Sequence, residues 1–187
     1  FDAEEAAFDA NSASLLSLTP PISAIDRLLL LAPLVKRWKE RLPQSVAELY
    51  NENVIVPAST ADAIWLARDL AELMDEVELE GADWTQLRGL VTDNLAGWWQ
   101  VTLDFLEIVT AHWPKILEER GQSNPAAHRD ALLRAEAKRL ALRPPSGPVI
   151  AAGSTGFIPA TGKLLSVISR LPNGAVILPG LDTGVDD

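Results

Sequence analysis

Apolar positions along most of this 187-residue chain recur at spacings of three and four, the period of a helix with one buried stripe. Ser23 is a candidate cap, with Asp26 suited to the positive end of the helix dipole. Ile25, Leu28, Leu29, Ala32, Val35 and Trp38 then form the first stripe. Pro33 falls inside it, so a kink or a split is expected there, and Lys36, Arg37, Lys39 and Arg41 gather where that helix is expected to end. A second helix is predicted from Ser59 or Thr60 to about Glu80, with Ile64, Leu66, Ala67, Leu70, Leu73, Met74 and Val77 inward and Gly81 as its stop. ADWTQLRGL reads as a short helical turn with Trp84 and Leu87 facing inward. A long helix follows from about Asn94 through Trp98, Trp99, Leu103, Leu106, Val109 and Trp113 towards Gly121, kinked at Pro114. Another starts with Asn124 as cap and Pro125 in the first helical position, carries Leu132, Leu133, Ala135, Ala137 and Leu140, and stops at Pro144-Pro145.

After RPPSGP the period changes. Val149-Ile150-Ala151-Ala152 and Ala175-Val176-Ile177-Leu178 are short apolar runs without polar alternation, as expected of strands buried on both faces. A helix over Thr161 to Leu171 and a turn at Asn173-Gly174 separate them, which predicts two parallel strands joined by a right-handed helical crossover. Two strands are too few for a stable α/β sheet, so this unit is expected to be the edge of a larger one, and its exposed edge favours self-association. The expected class is mostly α with a small α/β part: an acidic linker or arm over 1–21, a helical domain over 22–146, and a strand-helix-strand piece over 147–187.

Composition narrows the function. A hydrophobic content of 48% requires a folded core, while a net charge of −10 argues against a stand-alone electrostatic nucleic-acid binder, leaving room for a local basic patch. The absence of cysteine excludes disulfides, thiolate zinc sites, iron–sulfur clusters and cysteine nucleophiles within this segment. The acidic opening FDAEEAAFDA is unlike a signal peptide, and the apolar burst from Leu28 to Val35 is too short to span a bilayer, so no membrane role is expected. The chain opens on Phe1 without an initiator methionine and stops after GLDTGVDD, which leads us to expect a piece of a longer protein. All six tryptophans fall in helical segments with few interleaved cations, a pattern of core packing rather than base stacking.

The stretch VIAAGSTGFIPATGKLL comes nearest to a chemical motif. As a phosphate loop it fails: Gly156 to Gly162 is one residue too long, Pro159 removes a donor, and Leu164 stands where Ser or Thr should be. Lys163 then reads as a solvated residue in the first turn of a helix. As a nucleophile elbow, Ser154 has small neighbours after a strand, but His112 and His128 both precede it, whereas the triad histidine of that fold comes last. Neither histidine belongs to a metal-binding motif, and Asp75-Glu76 and Glu118-Glu119 read as solvated charge. Arg134, Lys138, Arg139 and Arg143 are the best candidates for contact with nucleic acid or a partner, against the alternative of a solvated helix face.

LTPPISAIDRLLLLAPLVKRW, LARDLAELMDEVELEGADWTQL, WWQVTLDFLEIVTAHWP and GPVIAAGSTGFIPATGKLLSVISRLPNGAVILPGLD together, in this order, resemble the AddB family of double-strand-break repair proteins, in its alphaproteobacterial branch. The resemblance implies an internal fragment of the N-terminal helicase-like half, in which a helical insertion returns to a superfamily 1 helicase-like sheet. In working motors of that superfamily the corresponding strand ends in Asp-Glu, which holds magnesium and polarises the attacking water. Other branches of the family carry D-G-F-x-x-F-T-P there. Gly153, Phe157 and Pro159 match this pattern, while Ala152 stands in place of the acidic residue. The resemblance thus implies a degenerate ATPase motif and a non-catalytic scaffold, with no cofactor in this segment. The implied partners are the AddA subunit and, within the complete ATP-dependent helicase-nuclease, DNA, in a bacterial, cytoplasmic, DNA-associated setting. Two other readings remain at this stage: a small-molecule enzyme or hydrolase using Ser154, and a helical protein–protein interaction module without a DNA role.

Overall fold

The computed structural model describes residues 18–50, 59–84 and 96–180. These residues are mostly helical, with one small parallel sheet. In chain order they form α1 (Ala24–Tyr50), α2 (Thr60–Glu80), α3 (Ala96–Glu107), a π-helical turn (Ile108–His112), α4 (Trp113–Arg120), α5 (Pro125–Leu142), β1 (Val149–Ala152), α6 (Pro159–Ile168) and β2 (Gly174–Ile177). One compact unit comprises residues 20–125, and a second carries α5 through β2. Most of the acidic stretch 1–21, together with Leu87 and Asn94, lies outside the described residues, as does the side chain of Trp98. None of the described helices is long and apolar enough to cross a membrane.

In the first unit, capping chemistry starts two helices where the sequence predicts them. Ser23 Oγ accepts the Asp26 N–H at 3.1 Å, and Ser59 Oγ accepts the Asp62 N–H at the same distance. Gly81, in the left-handed region at φ 67°, ends α2. Ahead of α1, Ile22 donates its N–H to the Ser123 carbonyl and Ser123 returns one to Pro20, both at 2.9 Å, so the chain entering α1 is pinned beside the end of α4.

The buried faces have the predicted period and include Val35 of the first predicted stripe and Ala67, Leu70 and Met74 of the second, but one flank of each stripe faces outward. On α1 Arg27, Leu31, Val35 and Val46 are buried, whereas Ile25 and Leu29 of the predicted stripe are 73% and 63% exposed. On α2 they are Ala63, Ala67, Leu70 and Met74, while Ile64 and Leu73 face outward. The two alanines present little side chain toward the core, so α1 and α2 can approach closely and the bulkier neighbours turn to the flanks. Ile108, Val109 and Trp113 complete the core cluster, with Trp84 packed against it and Trp38 tilted on Phe105 at a centroid distance of 4.7 Å. Trp65 departs from the expected core role and is 63% exposed.

Prolines are absorbed without breaking the rods. Pro33 and Pro43 both lie inside the uninterrupted α1, so the predicted split does not occur, and Lys36 to Arg41 sit mid-helix rather than at its end. The hydrogen bond Pro33 cannot donate would have gone to the carbonyl of Leu29, an exposed residue whose carbonyl can be solvated instead. At Pro114, where a kink is expected, the helix widens into the π-helical turn just before it, closed by the Trp113 N–H on the Ile108 carbonyl. That wider turn makes room for the proline ring, which then occupies the first turn of α4, where no donor is required.

Two buried polar contacts tie this unit together. Arg27, 4% exposed, lies between α1 and α2, with Nη1 2.8 Å from both oxygens of Asp75 and Nη2 donating to the Ala71 carbonyl at 3.1 Å. Asp75 is therefore an ion-pair partner rather than solvated charge. Asn124 does not spend its side chain as a cap: Oδ1 accepts the Trp113 indole N–H at 2.7 Å and Nδ2 donates to Glu78 at 2.6 Å. The indole is donor-only, which fixes which way the amide faces.

In the second unit, β1 and β2 pair in parallel with Val149 opposite Gly174 and Ala152 opposite Ile177, joined through α6, which packs on both strands. The strands are not buried on both faces. Val149, Ala151 and Val176 are half-covered, whereas Ile150 and Ile177 are 63% and 59% exposed, with Ala152 and Ala175 exposed beside them. A single helix covers a single face, and the other is open. Replacing Asp75 with Ala would leave the Arg27 guanidinium buried without its carboxylate. The expected loss is about 2 kcal/mol in urea unfolding, below the range for fully buried pairs because Asp75 is 35% exposed, while Arg27→Met should cost less.

Candidate functional site

The loop after β1 is shaped by steric need. Gly153 and Gly156 lie at φ 79° and 68°, backbone that residues with a Cβ rarely adopt. Gly153 N–H continues the ladder to the Ile177 carbonyl at 3.0 Å. Ser154 Oγ accepts the Gly156 N–H at 3.4 Å, so its hydroxyl stabilises the turn. A Cβ at Gly162 would stand 2.8 Å from the Gly156 carbonyl oxygen, so Gly162 is small because the loop lies against α6. Pro159, five residues after Ser154, opens α6 two residues before the predicted start, in the first turn, where its missing N–H costs nothing.

These contacts bear on each position of the expected degenerate motif. Ala152 is the exposed last residue of β1 and Gly153 makes the turn out of it. Phe157, 78% exposed, points away from the unit's core, and Pro159 begins α6. Between Val149 and Pro159 the chain carries no acidic side chain. Among the described residues no group of three or more His, Asp or Glu side chains is placed to hold a metal ion.

A second feature combines residues that the sequence presents separately. A cleft of about 600 Å³ in the same unit is lined from α5 by Arg134 and Lys138, and from α6 and the turn behind it by Lys163 and Arg170. Arg134 is engaged by Asp130, whose hydrogen bond and charge raise the guanidinium above its ordinary pKa and keep it ionised. Of the predicted basic set, Arg134 and Lys138 thus reach a common site, whereas Arg139 and Arg143 are not among its lining residues. Arg139 is held by Glu136 through two hydrogen bonds of 2.7 and 2.6 Å. Lys163 is exposed, as expected, and lines the cleft, and Arg170 was not anticipated. A usable signal existed in the sequence: Arg134 and Lys138 are four apart on one helix, and Lys163 and Arg170 are two turns apart, so each pair shares a face.

The same packing supports two measurements. At Gly174 a Cβ would fall 1.8 Å from the Ile168 carbonyl oxygen and 3.0 Å from Leu171. Gly174→Ala should therefore cost about 3 kcal/mol or more in urea unfolding and speed hydrogen exchange at the Ile177 amide, which the parallel register turns toward β1, an overpacking effect against rigid backbone. Unchanged exchange would contradict this close approach. The Arg139 hydrogen bond lowers the Glu136 carboxyl below its ordinary value against the opposing effect of burial. A depressed carboxylate stabilises the fold above its unfolded pKa and loses that contribution as pH falls through the lower folded value. Because both side chains are partly exposed, Glu136→Gln should cost only a few tenths of a kcal/mol at pH 7, and the difference from the parent chain should shrink as pH falls through the lowered folded value.

No family model, no curated protein and no solved structure matches this chain.

Proposed function

We propose that this chain is a non-catalytic scaffold segment of an AddB-like subunit in a double-strand-break repair helicase-nuclease, contributing to the DNA path and to contact with an AddA subunit. The observation that carries this reading is the parallel β1–α6–β2 unit, whose first strand ends in Ala152-Gly153 rather than in a carboxylate. A strand, a tight turn and a crossover helix in this order are the parts from which a motor's nucleotide site is built, and here the acidic ligand is replaced by a methyl group and a turn glycine. The engagement of Ser154 Oγ with its own turn supports a structural rather than nucleophilic role for the loop. The open apolar face of the sheet supports a scaffold that is covered by other protein surface.

The test pairs the chain with the AddA-type helicase-nuclease of the same cell. Co-elution in size-exclusion chromatography, and sensitivity to double-strand breaks in cells from which the gene is deleted, are the expected results. Absence of both would overturn the assignment. Labelling of Ser154 by a fluorophosphonate, with ester hydrolysis lost in Ser154→Ala, would replace it with the hydrolase reading. Concentration-dependent light scattering without any AddA contact would favour an interaction module that associates with itself through the open sheet.

A further inference from the structure

In a chain of net charge −10, the cleft between α5 and α6 gathers four cations, and no acidic residue is found among the described residues that line it. Asp130 answers Arg134 from the rim, but Lys138, Lys163 and Arg170 have no ion-pair partner among the described residues. Like charges converging on one volume repel one another, and that repulsion is relieved when an anion enters. The rest of the lining is apolar and includes Ala137 and Val167. A volume of about 600 Å³ lies within the range of small-molecule sites and exceeds what a bare inorganic anion would fill.

We propose that this cleft binds a nucleotide unit, its phosphate held by Lys138, Lys163 and Arg170 and its base laid on the apolar wall formed by Ala137 and Val167. A phosphate carries more charge than a carboxylate and spreads it over several acceptor oxygens, which suits cations arriving from two helices. The base supplies a flat, largely apolar body that a free phosphate lacks. The same unit can be presented by a free mononucleotide or by one residue of a single-stranded nucleic acid, and the cleft chemistry is common to both. The proposal does not rest on the scaffold role, because none of the lining residues belongs to the Ala152–Pro159 loop and the site is contained within this chain.

Isothermal titration of the full 187-residue chain with dAMP, with deoxyadenosine and with a dA12 oligonucleotide tests this directly. Binding of dAMP or dA12 that weakens as salt is raised, with deoxyadenosine much weaker than dAMP or inert, is the expected pattern. Lys163→Glu, Arg170→Glu and Lys138→Glu should each weaken binding by about tenfold or more, as expected for losing a charge-assisted contact. Lys115→Glu, the same charge change on exposed α4, should leave it unaltered. Affinity for dAMP matching that for dA12 per site identifies a free nucleotide as the source, and binding confined to dA12 identifies a strand. Either result supports the site only if the cleft variants lose it. No binding of either phosphorylated probe at millimolar concentration, or binding indifferent to all three reversals while circular dichroism confirms intact folding, overturns the proposal. A loss equally large in Lys115→Glu overturns it too, by reducing the interaction to net charge.

Discussion

The second unit depends on the absence of a side chain at Gly174. Strand β2 begins directly against the last turn of α6, so close that a methyl group would overlap the Ile168 carbonyl. Asn173-Gly174 has the form of a turn pair, but the demand on the glycine is distance, since its φ lies outside the left-handed region. The opposite end of α6 repeats the arrangement, with Gly162 against the Gly156 carbonyl. Held at both ends, α6 has little freedom to roll or slide over the strands. Lys163 and Arg170 ride on that fixed helix and the turn after it, so the spacing of their charges is set by backbone contacts of two glycines.

The first unit is organised by different means. Its helices are drawn together by small residues on α2 and by a guanidinium set into the contact, where apolar side chains alone would have been simpler. A buried ion pair contributes little net stability over a hydrophobic replacement, because desolvation opposes the attraction. It does select one alignment: sliding α1 by a turn would separate Arg27 from both Asp75 and the Ala71 carbonyl. The Trp113–Asn124–Glu78 chain acts likewise one turn further along α2, linking α4, the residue before α5 and α2 through donors and acceptors that fit only one way round.

What the sequence disclosed follows the range of the interactions involved. Ser23, Ser59 and Gly81 act on their own helix ends, and their roles were legible because nothing distant competes. The parallel strand-helix-strand order was legible for the same reason. The width of each buried stripe was not: Leu29 and Ile64 are as apolar as Leu31 and Leu70, and only the closeness of α1 to α2 decides which of them is left outside. Asp75 looked solvated because its partner lies 48 positions away. The candidate site divides along that line as well. The loop's departures from catalytic motifs could be read from local spacing and residue order, whereas the cleft required α5 and α6 to be brought together, which no local pattern encodes.

The widened turn before Pro114 has a consequence in angle. Each α-helical residue advances the side chains by about 100° around the axis, and a π-helical one by less, so a five-residue wide turn makes the following helix lag behind the preceding one. A stripe that faces the core before the turn is thereby re-aimed after it, and Ile108, Val109 and Trp113 are all buried across this change of pitch. The helical stretch from α3 to α4 therefore behaves as two surfaces with separate rotational settings. The proline sets where the setting changes, and the indole of Trp113, locked by Asn124, marks where the new one begins.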